Sequence, residues 1–246
     1  MAYTSWRGLF GTIKPTRRPG VLEECVRLMP DGIGIVPILL DIQTGSKSEF
    51  TDAISHYEAP IARLAEQKVD LIMPDGSAPF MLLGYDGERD LVRKWEKKYR
   101  TPIFTAGQNF ARAMKALGCK RPINIAFTTW DDGDLVARYF KPFGLTMTSR
   151  EVFPVEFQKV QSLPSKEVYA FIKRAFLARR KTEKIDGIFI QGGAWRILDI
   201  LEILERDMGV PVIHQGPTIA WEVMRRLHVR APMKGYGRLL SELPEG

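Results

Sequence analysis

Two polar residues stand where predicted strands end, and both belong to residue types that can move a proton. Asp75 follows the apolar run 69–73, and His214 closes the run 212–214. Proton transfer next to a carboxylate needs a positioned group with a suitably shifted pKa. We therefore predict Asp75 and His214 as catalytic candidates. Helix capping by Asp75 and a buried structural role for His214 are the alternatives.

Three predicted strand-end loops consist largely of small and polar residues, a composition that suits anion binding. Where such a loop opens into a helix, backbone N–H groups without partners in the helix attract an anion such as a carboxylate. N-capping and tight turns are the alternative roles. The residues of these loops that we predict to bind substrate are Gly76, Ser77, Thr128, Thr129, Trp130, Gln191, Gly192 and Gly193.

The loop after the first predicted strand carries two cations. Arg17 and Arg18 follow the strand 8–13 within the segment 15–19. A guanidinium can bind a carboxylate through two parallel hydrogen bonds. We predict both arginines as substrate-binding residues, with a surface position as the alternative.

These loops need a scaffold, and the sequence predicts one in which parallel strands alternate with helices. Apolar runs of strand length alternate with stretches of helical period, which gives eight βα units. The predicted strands are 8–13, 33–40, 69–73, 102–105, 123–127, 146–153, 187–191 and 212–214. The predicted helices are 21–29, 50–67, 88–99, 110–117, 135–143, 166–179, 195–208 and 219–227.

The two halves of the chain resemble each other. The segment 69–72 before Gly76 parallels 185–188 before Gly192, and an internal duplication explains the likeness. We predict an α/β fold of two similar lobes, each with a four-stranded parallel sheet flanked by helices. Because open α/β sheets bind ligands beyond the carboxyl ends of their strands, the active site is expected between the lobes. The predicted boundaries are 1–118, completed by 215–246, for the first lobe and 119–214 for the second.

Composition narrows the classes of function. The formal net charge is +7, but the basic residues are dispersed, so we expect no nucleic acid as a partner. A modest positive potential favours small anions, among them carboxylates, and a small carboxylate is the partner that we expect. No apolar run approaches the roughly 18 residues of a spanning helix, so we expect no membrane and a cytoplasmic location. The chain has two cysteines and no ligand pair at metal spacing, which predicts no metal. A homo-oligomer is compatible with the sequence.

Several motifs resemble the arylmalonate decarboxylases. In that family a strand ends in Ser-Cys-Gly and continues into a helix, and the matching segment here is 191–199. Further matches are 209–217 with Trp221, the closing Gly-Tyr-Gly-Arg-Leu at 235–239, the loop 74–80 and the first strand and loop at 11–15, which adds Pro15 to the expected site. The resemblance covers nearly the whole chain and implies the aspartate/glutamate racemase superfamily, with maleate isomerases as further relatives.

The departure from the family concerns its cysteines. Gly192 stands where the resemblance places the catalytic cysteine, and the second cysteine of the isomerases falls at Asp75 or at Gly76. Cys25 lies in mid-helix and Cys119 between the halves, so we interpret both as structural.

The resemblance implies a cofactor-independent decarboxylase, isomerase or racemase of a small carboxylic or dicarboxylic acid, acting through a carbanion or enediolate. Without the family cysteine, Asp75 or His214 would move the proton, and backbone N–H groups in the glycine loops would stabilise the oxyanion. A carboxylate-binding pseudoenzyme is one alternative. A hydrolase or hydratase that uses Asp75 to activate water is another.

Overall fold

Two parallel sheets form the frame of the molecule, with helices on their faces. The structure is a computed structural model, and it describes residues 5–127 and 134–246. The strands described are β1 (Gly8–Lys14), β2 (Ile33–Leu39), β3 (Leu71–Pro74), β4 (Pro122–Ala126), β5 (Arg150–Val152), β6 (Gly187–Ile190) and β7 (Val212–Ile213). The α-helices described are α1 (Gly20–Leu28), α2 (Lys47–Glu66), α3 (Ser77–Leu82), α4 (Gly84–Tyr99), α5 (Ala106–Ala116), α6 (Leu135–Phe140), α7 (Ser165–Arg179), α8 (Leu201–Met208), α9 (Gln215–Arg226) and α10 (Arg238–Glu242).

The strand order confirms the predicted fold class. The first sheet has the order β2-β1-β3 and the second the order β5-β4-β6-β7, and all pairings are parallel. The strand predicted at 102–105 would be the fourth of the first sheet. In the structure it is reduced to a single parallel bridge between Ile72 and Ile103. Because parallel strands end at the same edge of a sheet, the loops that follow them are neighbours.

Two differences from the predicted helices affect the loops at the strand ends. Helix α3 directly follows Asp75 and Gly76, and its six residues are too few to show a helical period. The helix predicted at 195–208 begins only at Leu201. The indole N–H of Trp195 donates to the carbonyl of Gln191 at 2.9 Å, which closes a turn in place of the first helical turns.

Helix α2 forms for local reasons and helps to build the site. Its capping box joins Ser46 and Glu49, and together they satisfy free N–H groups of the first turn. The buried face of α2 includes Tyr57, whose hydroxyl donates to the carbonyl of Asp75 at 2.5 Å. One core helix therefore fixes the backbone at the end of β3.

The C-terminal segment packs on the first half of the chain. Helix α9 contacts α1 and α5, and α10 packs against α9. The amide of Asn109 in α5 donates to the carbonyl of Thr218 in α9 at 2.9 Å. The lobe boundaries themselves stay a prediction. Within the described residues, no helix has both the length and the apolar character needed to cross a membrane.

A buried polar contact joins the two halves away from the loops. Glu88 in α4 has no exposed surface, and its carboxylate accepts a hydrogen bond from the hydroxyl of Tyr139 in α6. Burial raises the pKa of Glu88 to about 7, against the hydrogen bonds that it accepts. The neutral form is therefore favoured well above the ordinary pKa of a glutamate.

We predict that Glu88→Gln changes how stability depends on pH. In the unfolded chain Glu88 titrates near 4.5 and in the folded chain near 7, so the folded state binds more protons between these values. The stability of the wild type relative to Glu88→Gln is highest below pH 4.5. It falls as pH rises through 7, by about 3 kcal/mol at most.

Urea unfolding of both proteins at pH 5 and pH 8.5 measures this difference, because all other titrating groups cancel. The exposed residue Glu66 supplies the control Glu66→Gln, which should show no such change. A constant difference between wild type and Glu88→Gln at both pH values would contradict the prediction.

Candidate active site

A cavity of about 90 Å³ lies beyond the carboxyl ends of both sheets. At roughly 10–15 Å³ for each water-sized sphere, it holds several waters or one small molecule. It is lined by Lys14, Pro15, Thr16, Arg18, Gly20, Val21, Phe50, Asp75, Gly76, Ser77, Ala78, Pro79, Phe127, Phe157, Gln161, Gln191, Gly192, Gly193, Ala194 and Gln215. Residues from both halves of the chain therefore line one cavity.

Asp75 is the carboxyl group of this cavity. Its backbone N–H continues the ladder of β3 by donating to the carbonyl of Ile13 at 2.9 Å. Its Oδ1 accepts two hydrogen bonds, one from the N–H of Gly76 at 2.7 Å and one from the side-chain amide of Gln215. No described residue donates to Oδ2, so this oxygen is the one left for a proton or a ligand.

Burial dominates the ionisation of Asp75. The residue is only 2% exposed, and burial raises the pKa of its carboxyl group to about 6, opposed by the Gly76 hydrogen bond and the charge of Lys14. A carboxyl group with a pKa near neutrality can both accept and donate a proton under ordinary conditions. This is the condition that an acid–base residue has to meet.

Two cations face the same space. The ammonium group of Lys14 ends β1, and burial lowers its pKa while Asp75 raises it. The Arg18 guanidinium lies 4.0 Å from the centre of the Phe157 ring and donates to the Phe157 carbonyl at 2.5 Å. Burial lowers the pKa of Arg18 to about 10, and no described carboxylate forms an ion pair with it. An anionic ligand would supply the missing partner.

Aromatic rings form the apolar part of the wall. Phe50 and Phe127 both pack against Phe157, with ring centres 6.3 Å and 6.1 Å apart. Charged groups, amides and aromatic rings that line one cavity suit a small acid that carries an apolar substituent.

The catalytic candidate Asp75 and most of the predicted substrate-binding residues line this cavity. The substrate-binding candidates that do so are Pro15, Arg18, Gly76, Ser77, Gln191, Gly192 and Gly193. Arg17 does not, and its predicted role is corrected: its side chain is largely exposed and pairs with Asp41 at 3.1 Å. The predicted contacts Thr128, Thr129 and Trp130 lie outside the described residues.

The prediction for His214 is corrected as well. Strand β7 ends at Ile213, and His214 becomes the N-cap of α9 with its ring fully buried. Its Nε2 lies 3.4 Å from a carboxylate oxygen of Glu24, and the ring does not line the cavity. The next residue, Gln215, points to Asp75 instead, because successive side chains leave an extended backbone on opposite sides.

The residues that the sequence reading missed are Lys14, Gln215 and the phenylalanines of the wall. A signal existed for Lys14, since a lysine that directly follows the apolar residues of a central strand is expected to be buried with a partner. Phe157 and Phe50 had none, because they reach the cavity from segments distant in the chain.

The cysteines lie elsewhere. Cys25 and Cys119 are both buried, and burial raises the pKa of both thiols, which makes them poor nucleophiles. Neither is among the described residues that line the cavity. Within 5–127 and 134–246, no three His, Cys, Asp or Glu side chains are grouped so that they could hold a metal ion.

Comparison with known proteins identifies the family. The sequence profile of the family described as arylmalonate decarboxylase matches residues 10–240. The chain belongs to the arylmalonate decarboxylase family. No curated protein sequence matches the chain.

Solved structures of this family and of maleate isomerases share the fold. Maleate isomerase Iso from Pseudomonas putida S16 has a TM-score of 0.86 at 18% identity, over 96% of this chain and 99% of that one. A liganded variant of arylmalonate decarboxylase gives 0.85 at 20% identity, with the same coverage. The maleate cis-trans isomerase of Nocardia farcinica gives 0.85 at 16% identity, over 96% of this chain and 98% of that one. These likenesses show that the chain shares the fold of those enzymes.

The backbone at Gly192 disfavours a side chain where the resemblance to the arylmalonate decarboxylases places a cysteine. Gly192 has a φ of +86°, and a Cβ atom there would lie 2.7 Å from the ring of Phe127. Both the left-handed backbone and the ring oppose any side chain. The space next to the glycine is filled by an aromatic ring.

We predict that Gly192→Ala lowers the free energy of unfolding by about 2–3 kcal/mol, because strain at positive φ adds to the clash with Phe127. Gly118→Ala is the matched control, since Gly118 has a φ of +70° and nothing within 4 Å of its added Cβ. It should lose only about 1 kcal/mol. Equal losses in urea unfolding would show that Phe127 does not occupy the space.

Proposed function

We propose that this protein is a cofactor-independent enzyme of the decarboxylase, isomerase or racemase type that acts on a small carboxylic or dicarboxylic acid. The reaction passes through a carbanion or enediolate next to a carboxylate. Asp75 moves the proton, and no cysteine takes part. The observation that carries the proposal is the Asp75 carboxyl group, buried in the cavity with a pKa near 6 and with one oxygen to which no described residue donates.

Arg18 supports the binding of an acid. Its half-buried guanidinium packs against Phe157 and has no described carboxylate as a partner, so an incoming carboxylate gains a strong ionic hydrogen bond. Lys14 adds a second positive charge on the same wall. Together they favour the anionic reactant and stabilise the negative charge that develops on it.

The glycine loops supply the remaining donors. Ser77 opens helix α3, where its backbone N–H has no partner within the helix, whereas the N–H of Gly76 already donates to Asp75. Gly193 lines the opposite wall of the cavity. Such N–H groups can stabilise the oxyanion of an enediolate while Asp75 exchanges the proton at carbon.

We predict that Asp75→Asn lowers the catalytic rate by about 10²-fold or more, the usual scale for losing a general acid or base. Asparagine keeps an oxygen that accepts from Gly76 and Gln215, so the melting temperature should stay close to that of the wild type. The exposed Asp31 provides the control Asp31→Asn. Substrates are sought among malonates, maleate and hydroxy acids in deuterated water, with turnover and deuterium incorporation followed by NMR.

The pH profile then separates the reaction types. A decarboxylase in which Asp75 delivers the proton needs the neutral acid, so kcat/KM falls as pH rises through about 6. An isomerase or racemase in which Asp75 removes a proton needs the carboxylate, so kcat/KM rises through the same pH. In either case Asp75→Asn should remove the change of kcat/KM near pH 6. Unchanged rates in Asp75→Asn would exclude Asp75 as the proton carrier.

We predict that the double variant Cys25→Ala, Cys119→Ala keeps its turnover within about twofold of the wild type. Both thiols are buried and outside the cavity lining, so neither can attack a bound acid. Circular dichroism and thermal unfolding first establish that the variant is folded. A folded variant without activity would return a cysteine to the mechanism.

The same measurements address the alternatives. A carboxylate-binding pseudoenzyme would bind the acids without turnover or deuterium incorporation. A hydratase or hydrolase would add water to an unsaturated or ester substrate. The loss of activity in Asp75→Asn would then mean that Asp75 activates water.

A further inference from the structure

Lys14 and Asp75 occupy neighbouring positions at the ends of two paired strands. The register of β1 and β3 pairs Ile13 with Pro74, and Lys14 and Asp75 are the next residues on each strand. Adjacent strands lie about 4.8 Å apart, and paired residues place their side chains on the same face. Both side chains line the cavity.

The Lys14 ammonium group is held at its other side by the loop that carries Arg18. Its Nζ donates to the carbonyl of Arg18 at 2.5 Å and more weakly to that of Pro19 at 3.5 Å. The group is 3% exposed, so water screens its charge little. The carbonyl acceptors favour the charged form of Lys14, and the field of this ammonium group acts on Asp75.

Few other charges act on this pair within the described residues. Asp75 and Lys14 both interact with the Cys25 thiol, and Asp75 also acts on the Tyr57 hydroxyl; both of these groups are neutral because burial raises their pKa values. Lys14 additionally interacts with the Arg18 guanidinium and the Glu23 carboxylate. Gln215, which contacts Asp75 from α9, carries no charge. Lys14 is therefore the charged group that opposes the effect of burial on Asp75.

We propose that Lys14 couples the binding of an acid to the protonation of Asp75, so that Asp75 takes up a proton when an anion enters the cavity. In the empty site the ammonium group stabilises the Asp75 carboxylate. An anion next to Lys14 and Arg18 adds negative charge near Asp75 and offsets the field of the ammonium group, and both effects favour the neutral carboxyl group. Binding of the substrate thus protonates Asp75, which is the proposed proton donor.

This inference rests on the proposed function only in that the cavity binds a carboxylate. It makes Lys14 a positioning residue that acts on the reaction through Asp75. For a decarboxylase, the coupling supplies a protonated donor at pH values where the empty site holds a carboxylate. For an isomerase or racemase, in which Asp75 removes a proton from the bound acid, the same coupling would oppose catalysis.

The coupling is measured without turnover, with malonate as the probe. Isothermal titration calorimetry in two buffers of different ionisation enthalpy gives the number of protons taken up on binding. At pH 7 we expect about half a proton for the wild type, because a nearby charge moves a carboxyl pKa by roughly one unit or more. Asp75→Asn should bind malonate with no uptake.

Lys14→Met tests the assignment to Lys14. In the protein without malonate, the titration midpoint of the Asp75 carboxyl carbon, followed by ¹³C NMR, should rise by about one unit from its wild-type value near 6. Lys14→Arg keeps the positive charge, so the Asp75 midpoint in this variant should stay close to the wild-type value. Lys98→Met is the control, since Lys98 is exposed and pairs with Glu58.

The possible results separate this inference from the proposed function. An unchanged Asp75 midpoint in Lys14→Met, malonate binding without proton uptake, or no malonate binding would overturn the coupling. A shifted midpoint together with proton uptake supports it, even if no acid is turned over. Full turnover in Asp75→Asn would overturn the proposed function and leave these binding measurements unaffected.

Discussion

The Asp75 carboxyl group is removed from water, and the groups around it offset only part of what that removal costs. An ionised carboxylate in a protein interior is destabilised by several kcal/mol unless charges and hydrogen bonds compensate it. Here the compensation comes from Gly76, Gln215 and Lys14, and the pKa of Asp75 still stays near 6. A fully compensated carboxylate would be a structural ion pair. An uncompensated one would remain neutral throughout the physiological range.

That intermediate balance follows from the backbone. Strands β1 and β3 end at one edge of the first sheet, which sets Lys14 beside Asp75 without any long loop. Tyr57 holds the Asp75 carbonyl from α2, and α9 begins with Gln215 at the carboxylate. Because each contact comes from a regular element packed in a core, the geometry of the carboxyl group is determined by the fold. The precision that acid–base chemistry requires is available before a ligand arrives.

The alternation of apolar runs and helical segments was sufficient to predict the two parallel sheets, and the loops after β1, β3 and β6 do meet at the cavity. The failures have physical reasons. His214 and Gln215 are consecutive, and only the point where β7 gives way to α9 decides which of them faces Asp75. Phe157 reaches the wall from a long connection without periodicity, so no pattern in the sequence places it. The burial that makes Asp75 chemically useful is also a tertiary property, which one residue and its neighbours in the chain cannot reveal.

Gly192 shows how far the site differs from one built around a thiol. A side chain at this position would have to adopt a left-handed backbone and displace the ring of Phe127, which packs against Trp195 with ring centres 5.3 Å apart. Trp195 in turn donates to the carbonyl of Gln191, the residue before the glycine. The turn, the ring and the indole thus support one another, and a thiol would require all three to move. The polar and charged groups of the described cavity are instead gathered at Asp75, Lys14 and Arg18, on the ends of the first sheet. We infer that the chemistry of this chain is centred on a carboxyl group and its cations, with the loops that follow the strands of the second sheet supplying Phe127, Phe157 and the amide of Gln191.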